Sequence, residues 1–221
     1  MYSLLSVNTV AFTLWDYSMS WIELVGTLFN IWCVWLAVRK NIWTWPVGLV
    51  GIILYFFLFY QIHLYSDMGE QIYYFILTFI GWWAWHKEKA STEKTFVLTL
   101  SWRKRLGWIV VTIFGTIGLT FVTTHLPTWL PAFFTEPPAY PWIDAATTVV
   151  SFVATYLMAK RYLECWMLWI LVDVIAIWLY FVQGVKFISL EYFIFLTMAS
   201  IGGYTWWKAY SARKQPYEQP S

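Results

Sequence analysis

Charged residues are scarce in this sequence. Only 12% of its 221 residues are Asp, Glu, Lys or Arg, whereas 60% are apolar. A water-soluble domain of this size needs a far more polar surface, so the composition excludes that class. The net charge of +2 gives no reason to expect a nucleic-acid partner.

Several chemical motifs are missing as well. The sequence has no phosphate-binding loop and no HExxH pair, which excludes ATP hydrolysis and zinc proteolysis of those types. Its three histidines, His63, His86 and His125, lie at the edges of apolar segments, so we expect no metal and no cofactor. The two cysteines, Cys33 and Cys165, lie in or beside predicted helices, which disfavours a structural disulfide. No nucleophile and base are recognisable together, so we expect no enzyme activity.

Long apolar segments, by contrast, fill most of the chain. A membrane-crossing helix takes about 20 mostly apolar residues, because backbone amides cannot stay unpaired in hydrocarbon. Seven segments meet this requirement, so the sequence predicts an all-α integral membrane protein with seven transmembrane helices. The segments are 21–38, 45–62, 68–85, 106–124, 142–159, 163–182 and 190–207.

Aromatic residues make up 23% of the chain, and many tryptophans lie near the predicted helix ends. Trp and Tyr favour the headgroup zone, where the ring and its polar tip both find partners. The sequence therefore predicts an interfacial belt, formed by Trp21, Trp43, Trp45, Trp85, Trp142, Trp206 and Trp207.

The distribution of Lys and Arg predicts the orientation, since basic residues are retained in cytoplasmic loops. If the N-terminus lies outside the bacterial inner membrane, 13 of the 14 basic residues fall in cytoplasmic segments and only Lys186 falls outside. An even number of crossings would break this partition. The pattern therefore predicts seven crossings with a periplasmic N-terminus and a cytoplasmic C-terminus.

An internal duplication is visible at an offset of 121 residues, which aligns 23–87 with 144–208 without gaps. Since each half has three helices and both halves have the same charge orientation, an inverting helix must lie between them. The sequence thus predicts a parallel 3+1+3 repeat, an architecture of transporters. The identical pairs include Thr27 and Thr148, Leu36 and Leu157, Trp45 and Trp166, Glu70 and Glu191, Gly81 and Gly202, Trp85 and Trp206, and Lys87 and Lys208.

The repeat divides the chain into four regions. Residues 21–88 and 142–209 form the two three-helix bundles. Between them, 89–141 holds a basic cytoplasmic connector, a linker helix at about 106–124 and an outer loop whose five prolines exclude regular structure. Residues 210–221 are predicted to form a disordered cytoplasmic tail.

Asp173, near the middle of the predicted sixth helix, is the leading candidate for a functional residue, because a carboxylate is costly in hydrocarbon. Trp166, Trp169 and Tyr180 lie seven before, four before and seven after it, so one helical stripe presents an acid between aromatic rings. Such a stripe suits a cation, with a gain of about 2 kcal/mol once desolvated. The alternative is an Asp bonded to another helix. The corresponding residue of the first half is Ile52, which predicts one charged face and one bound solute.

Other polar and aromatic residues form a second group of candidates. Glu70 and Glu191 lie near the outer ends of the third and seventh helices, where a helix N-terminus favours an anion, so a purely structural role is the alternative. Tyr55, Tyr73 and Tyr192 either line a cavity or pack against neighbouring helices. The remaining predicted substrate-binding residues are Asn30, Gln71, Tyr74, Thr78 and Trp178.

The sequence resembles the Pnu family of bacterial vitamin transporters over nearly the whole membrane region. The resemblance lies in SWIELVGT from Ser20, FYQIHLYSDM from Phe59, IGWWAW from Ile80, RYLECWMLW from Arg161 and VQGVKFISLEY from Val182. It implies a SWEET-like 3+1+3 fold, a homotrimer in membrane lipid, and facilitated diffusion by alternating access. It also implies that a cytoplasmic kinase traps the vitamin by phosphorylation.

The departures from the family pattern bear on the substrate. Riboside transporters of the family carry asparagines on ligand-facing helices, where this sequence has Gly51, Thr78, Asp173 and Gly202. Fewer amides and an added carboxylate favour thiamine, a permanent cation, and so the thiamine branch of the family. Nicotinamide riboside is the alternative substrate, and proton coupling through a buried carboxylate is the alternative mechanism.

A seven-helix sensor or receptor is the alternative outside transport. The internal repeat and the small cytoplasmic loops disfavour it. A retinal protein is disfavoured as well, since Lys208 lies at the cytoplasmic end of the last helix instead of being buried within it.

Overall fold

The computed structural model describes residues 5–14, 17–61, 65–90, 97–131, 134, 140–182 and 186–214. Seven helices and two short strands lie within these ranges. The strands are β1 (Val10–Leu14) and β2 (Tyr17–Ser20). The helices are α1 (Trp21–Val38), α2 (Thr44–Gln61), α3 (Tyr65–Ala90), α4 (Trp102–Trp129), α5 (Pro141–Ala159), α6 (Glu164–Val182) and α7 (Lys186–Lys214).

Within the described part of the chain, five helices are long and apolar enough to cross a membrane: α1, α2, α4, α5 and α6. The other two, α3 and α7, are longer than most but carry charged residues toward both ends. The chain is therefore a multi-pass helical membrane protein.

Helix α4 extends well beyond the predicted linker segment of 106–124. It continues to Trp129 and contains Pro127, so the prediction that prolines exclude regular structure from His125 onward is wrong for this part. A proline near a helix end costs little, because few backbone bonds follow it. Helix α7 likewise continues to Lys214, into the predicted tail. Of the predicted connector, loop and tail, residues 91–96, 132–133, 135–139 and 215–221 lie outside the described residues.

The two strands were not predicted by the all-α reading of the sequence. They pair antiparallel, with Thr13 opposite Ser18 and Leu14 opposite Tyr17, and lead directly into α1. Ser20 ends the second strand and caps α1 by accepting a hydrogen bond from the Glu23 backbone N–H. We call β1 and β2 together the N-terminal β-ribbon.

The helix contacts follow a regular pattern. Helix α2 packs on both α1 and α3, and α6 packs on both α5 and α7. Across the bundle, α3 packs on α5 and α1 packs on α7. Helix α4 packs on α5 and is otherwise largely exposed, with Thr120 its one buried residue.

Four tryptophans, Trp45, Trp85, Trp166 and Trp206, form a buried cluster. It lies at the first turns of α2 and α6 and close to the last turns of α3 and α7. The rings of Trp45 and Trp85 meet edge-on at 5.3 Å, those of Trp166 and Trp206 at 5.5 Å, and Trp85 and Trp206 are 6.2 Å apart. The belt prediction is therefore wrong for Trp45, Trp85 and Trp206, whose rings pack on one another inside the bundle and are buried. We call these four residues the tryptophan layer. The remaining predicted belt residues are exposed: Trp21, Trp43, Trp142 and Trp207.

Two hydrogen bonds from the tryptophan layer join helices that are distant in sequence. The indole Nε1 of Trp85 in α3 donates to the carbonyl of Ala159 in α5 at 3.2 Å. The indole Nε1 of Trp206 in α7 donates to the carbonyl of Ala37 in α1 at 3.1 Å. Both carbonyls belong to the last turn of their helix, where they lack partners within the helix. The bonds thus satisfy helix ends and connect α3 with α5 and α7 with α1.

Glycines make this close ring packing possible. A Cβ built on Gly81 would lie 2.3 Å from the Trp45 ring, and one on Gly202 would lie 2.6 Å from the Trp166 ring. Carbon atoms cannot approach that closely, so any larger residue would displace the indole. Only glycine therefore fits opposite either ring.

The segment before α4 joins the same end of the bundle. Leu98 N donates to the Arg161 carbonyl at 2.9 Å, and Leu163 N donates to the Leu98 carbonyl at 2.8 Å. Glu164 accepts from Leu100 N at 2.9 Å and from the Arg105 guanidinium at 2.8 Å. These contacts fix the start of α4 against the start of α6.

We predict that Gly81→Ala and Gly202→Ala each destabilise the protein by about 1 to 3 kcal/mol, because the added methyl group overlaps a buried indole. Thermal unfolding in detergent measures the effect. The matched control is Gly118→Ala in α4, whose Cβ would meet nothing within 4 Å. It should leave stability unchanged or raise it, since Ala is the better helix former. Equal melting temperatures for all three variants would contradict the proposed role of these glycines.

Candidate functional site

The candidate site is built on the inner face of α6. Trp166, Trp169, Asp173 and Tyr180 lie on one stripe of this helix, as the spacing predicts. Val172, Ala176 and Leu179 surround the acid and are buried. Asp173 is only 3% exposed, so its carboxyl group lies inside the bundle.

The surroundings of Asp173 lack a matching charge. Among the residues that the structure describes, no Lys, Arg or His forms an ion pair with it. Burying a carboxylate without a cation or several donors is strongly unfavourable. Asp173 is therefore suited to receive a positively charged group.

Trp166 and Trp169 differ in their surroundings. Trp166 belongs to the tryptophan layer, where it packs on Gly202 and Trp206. Trp169 is partly buried and lies one turn nearer to Asp173. Both indole N–H groups are buried and donate no hydrogen bond within the described ranges. Trp169 is the closer ring for a ligand at Asp173, and Trp166 closes the space toward the tryptophan layer.

Tyr180 lies two turns beyond Asp173 and stacks on Tyr192 of α7, with ring centroids 5.5 Å apart and planes 14° from parallel. Tyr192 interacts electrostatically with Tyr180, Tyr74 and Asp173. The structure thus places Tyr192, for which the sequence left both cavity lining and packing open, beside Tyr180, Tyr74 and Asp173.

Glu70 and Glu191 each accept a hydrogen bond from a hydroxyl group of a helix distant in sequence. Thr148 of α5 donates to Glu70 of α3 at 2.6 Å. Tyr55 of α2 donates to Glu191 of α7 at 3.4 Å and forms a hydrogen bond with Thr27 of α1 at 2.7 Å. These contacts join α3 to α5 directly and α7 to α1 through Tyr55. We call the five residues the carboxylate layer.

Asp173 lies between the two layers. Along α6 it is seven residues, or about 10 Å, from Trp166 of the tryptophan layer. It is equally far from Tyr180, which stacks on Tyr192 next to Glu191 of the carboxylate layer. On α1, Thr27 and Ala37 are separated by about 15 Å along the helix axis. The acid therefore lies in the part of the bundle that is joined by hydrogen bonds on both sides.

The other predicted polar residues also lie inside the bundle. Gln71 and Thr78 of α3 are buried. Asn30 packs its amide oxygen against Gly51, since a Cβ at Gly51 would lie 2.2 Å from that oxygen. At Gly51 and Gly202, where the resemblance to riboside transporters predicts asparagines, neighbouring side chains fill the space beside the glycine.

Trp178 does not join this group. It is 54% exposed and points away from the stripe that carries Asp173, since five residues along a helix correspond to a rotation of about 140°. It lies on the outer surface of α6. Trp178 is therefore left out of the site.

The described residues contain no group of three or more His, Cys, Asp or Glu side chains that could hold a metal ion. What the site presents is one acid, several aromatic rings and a few neutral polar groups. This set can bind an organic cation, with the charge at the carboxylate and the flat parts against the rings.

The comparisons with known proteins agree with a membrane transporter. The family model described as nicotinamide mononucleotide transporter matches residues 20–208. The nicotinamide riboside transporter PnuC of Escherichia coli is 33% identical over 213 residues, which covers 86% of each chain. The riboflavin/roseoflavin transporter RibM of Streptomyces davaonensis is 29% identical over 205 residues, which covers 91% of each chain.

A solved structure is similar as well. The crystal structure of the vitamin B3 transporter PnuC superimposes with a TM-score of 0.68 at 29% sequence identity, covering 87% of this chain and 83% of that one. The chain therefore belongs to the Pnu family of transporters and is not an enzyme.

Proposed function

We propose that this protein carries a cationic vitamin across the bacterial inner membrane by facilitated diffusion, with Asp173 as the binding group for the positive charge. The observation that carries the proposal is the position of Asp173, buried without a cation partner in the described residues and halfway between two bonded layers. A passive carrier needs such a site, open to one side at a time.

The proposed binding site combines one acid with rings from two helices. Asp173 holds the charge, while Trp169 and Tyr180 of the same helix and Tyr74 of α3 contact the flat parts of the ligand. Tyr192 supports Tyr180 through ring stacking. Neutral hydrogen bonds come from Asn30, Gln71 and Thr78, and Trp166 closes one side. Glu70 and Glu191 act at the carboxylate layer.

Thiamine is the substrate that we propose. Its thiazolium ring carries a permanent positive charge that suits a buried carboxylate between aromatic rings. Nicotinamide riboside, named for the Escherichia coli relative, is also a cation and is the second candidate. Riboflavin, named for the Streptomyces relative, is neutral and would leave Asp173 without a partner. Charge thus separates the first two from the third, and the lack of amides at Gly51, Thr78, Asp173 and Gly202 favours thiamine over nicotinamide riboside.

We propose further that the fold is a parallel 3+1+3 repeat. Residues 21–88 and 142–209 form the two bundles, and 89–141 contains the linker helix. The support is that contacts recur at equivalent positions: Trp45 on Gly81 and Trp166 on Gly202. The two indole bonds to helix-end carbonyls recur in the same way. Only α4 has no counterpart, as expected for an inverting helix.

The remaining features follow from the charge pattern and the family. The protein would cross the membrane seven times, with its N-terminus in the periplasm. The largely exposed α4 offers a face for lipid or for the neighbouring copies of a homotrimer. Uptake would be driven by a cytoplasmic kinase that phosphorylates the vitamin and so prevents its return.

We predict that thiamine raises the melting temperature of the purified protein and riboflavin does not, because only a ligand of the folded state stabilises it. Asp173→Asn should weaken thiamine binding at least about tenfold, since a desolvated cation beside its acid and rings is worth about 2 kcal/mol. The control is Asp144→Asn, which removes an acid at the start of α5 and should leave binding unchanged. Tight binding of nicotinamide riboside with no binding of thiamine would contradict the proposed substrate.

We predict that the N-terminus lies in the periplasm and the C-terminus in the cytoplasm. A reporter that is active only in the periplasm should then work only at the N-terminus, and one that is active only in the cytoplasm should work only at the C-terminus. Alkaline phosphatase and green fluorescent protein, each fused to either end, measure this. The reason is the retention of basic residues on the cytoplasmic side. Both ends on one side of the membrane would rule out an odd number of crossings and the proposed repeat with it.

A further inference from the structure

The N-terminal β-ribbon lies at the end of the bundle where α1 begins. Its second strand faces inward, with Met19 and Ser20 buried, whereas Val10 and Leu14 of its first strand are exposed. Trp21 N donates to the Thr9 carbonyl at 3.1 Å, which holds the residue before the ribbon against the start of α1. The ribbon is thus a two-stranded sheet whose second strand ends in buried residues.

A glutamine at the end of α2 fastens the residues that precede the ribbon. The Gln61 side-chain oxygen accepts a hydrogen bond from Val7 N at 3.0 Å, and its Nε2 donates to the Leu5 carbonyl at 2.9 Å. One side chain thereby bonds the chain at two points. This attachment joins the N-terminal segment to α2 as well as to α1.

The inner strand bears a tyrosine that reaches the carboxylates. The Tyr17 hydroxyl donates to Glu23 of α1 and interacts electrostatically with Glu191 of α7. Burial first, and then the neighbouring Glu23 carboxylate, raise the pKa of Tyr17 above its ordinary value, so the phenol keeps the proton that it donates. Tyr17 therefore links the ribbon to α1 beside the carboxylate layer, with α7 close by.

We propose that the N-terminal β-ribbon is a lid over this mouth of the transport path, that Tyr17 holds it closed, and that solute crosses only when it lifts. That this end of the bundle faces the periplasm rests on the proposed function. The Tyr17 hydroxyl reaches Glu23, a carboxylate at this end of the bundle, by a side-chain hydrogen bond. Opening requires that this bond, the Gln61 attachments and the Thr9–Trp21 bond break and that Met19 leave its buried position, while the helices stay in place.

The first test measures access beneath the lid without using any vitamin. A cysteine at Thr27, in a chain with Cys33→Ser and Cys165→Ala, is labelled with a membrane-impermeant maleimide. Tyr17→Phe should raise the labelling rate about tenfold, because a hydrogen bond to a charged group shifts an equilibrium by at least about that factor. The control is Tyr60→Phe, which alters an exposed tyrosine near the end of α2 and should leave the rate unchanged. Equal rates for Tyr17→Phe and the parent would overturn the role of Tyr17.

The second test prevents the lid from lifting. Val7→Cys and Gln61→Cys are joined by a short bifunctional thiosulfonate. The link should slow both thiamine counterflow in liposomes and labelling at Thr27→Cys at least tenfold. Reductant cleaves the link and should restore both rates. The control joins Thr13→Cys to Ser18→Cys, whose side-chain oxygens are 3.3 Å apart across the ribbon, and should slow neither. Full labelling with the Val7 and Gln61 link in place would overturn the lid. Absence of vitamin exchange in every variant would contradict the proposed transport, while the labelling rates would still decide the lid.

Discussion

A carboxylate can stay inside a helical bundle in lipid only if the surrounding fold supplies compensation or a ligand does so in turn. Asp173 is 3% exposed and has no ion pair with any described residue. The protein therefore keeps an unfavourable group at its centre, and the rest of the bundle must be stable enough to tolerate it. A bound cation removes this cost, which makes binding selective for positive charge before any shape is considered.

That stability comes from contacts on either side of the acid. In the tryptophan layer, indoles press on glycines and donate to the carbonyls at helix ends. In the carboxylate layer, Glu70 accepts from Thr148 of α5, and Glu191 accepts from Tyr55, which also bonds Thr27 of α1. Both layers join α3 to α5 and α1 to α7, so the two ends of the same helix pairs are bonded independently. One layer can therefore break while the other still holds the bundle together.

Local pattern predicted much of this, and contact between distant segments explains the rest. The stripe of Asp173, Trp169 and Tyr180 follows from helical spacing alone. Burial of Trp85 does not, because an indole at a helix end fits the membrane interface equally well until a partner such as the Ala159 carbonyl is known. The β-ribbon was missed because four- and five-residue strands give too short a pattern to separate from a loop.

The proposed repeat also explains why its two halves differ where they do. At an offset of 121 residues, every member of the layers except Tyr55, which corresponds to Ala176, is matched in identity: Trp45 and Trp166, Trp85 and Trp206, Thr27 and Thr148, Glu70 and Glu191. The proposed ligand contacts are not, since Asp173 corresponds to Ile52, Trp169 to Gly48, Tyr180 to Phe59 and Asn30 to Ser151. Equal layers suit a carrier whose halves must meet in the same way at either end. A single solute without twofold symmetry cannot make the same contacts with two equal faces. Sequence divergence between the layers can therefore create selectivity for the solute without changing the contacts within the layers.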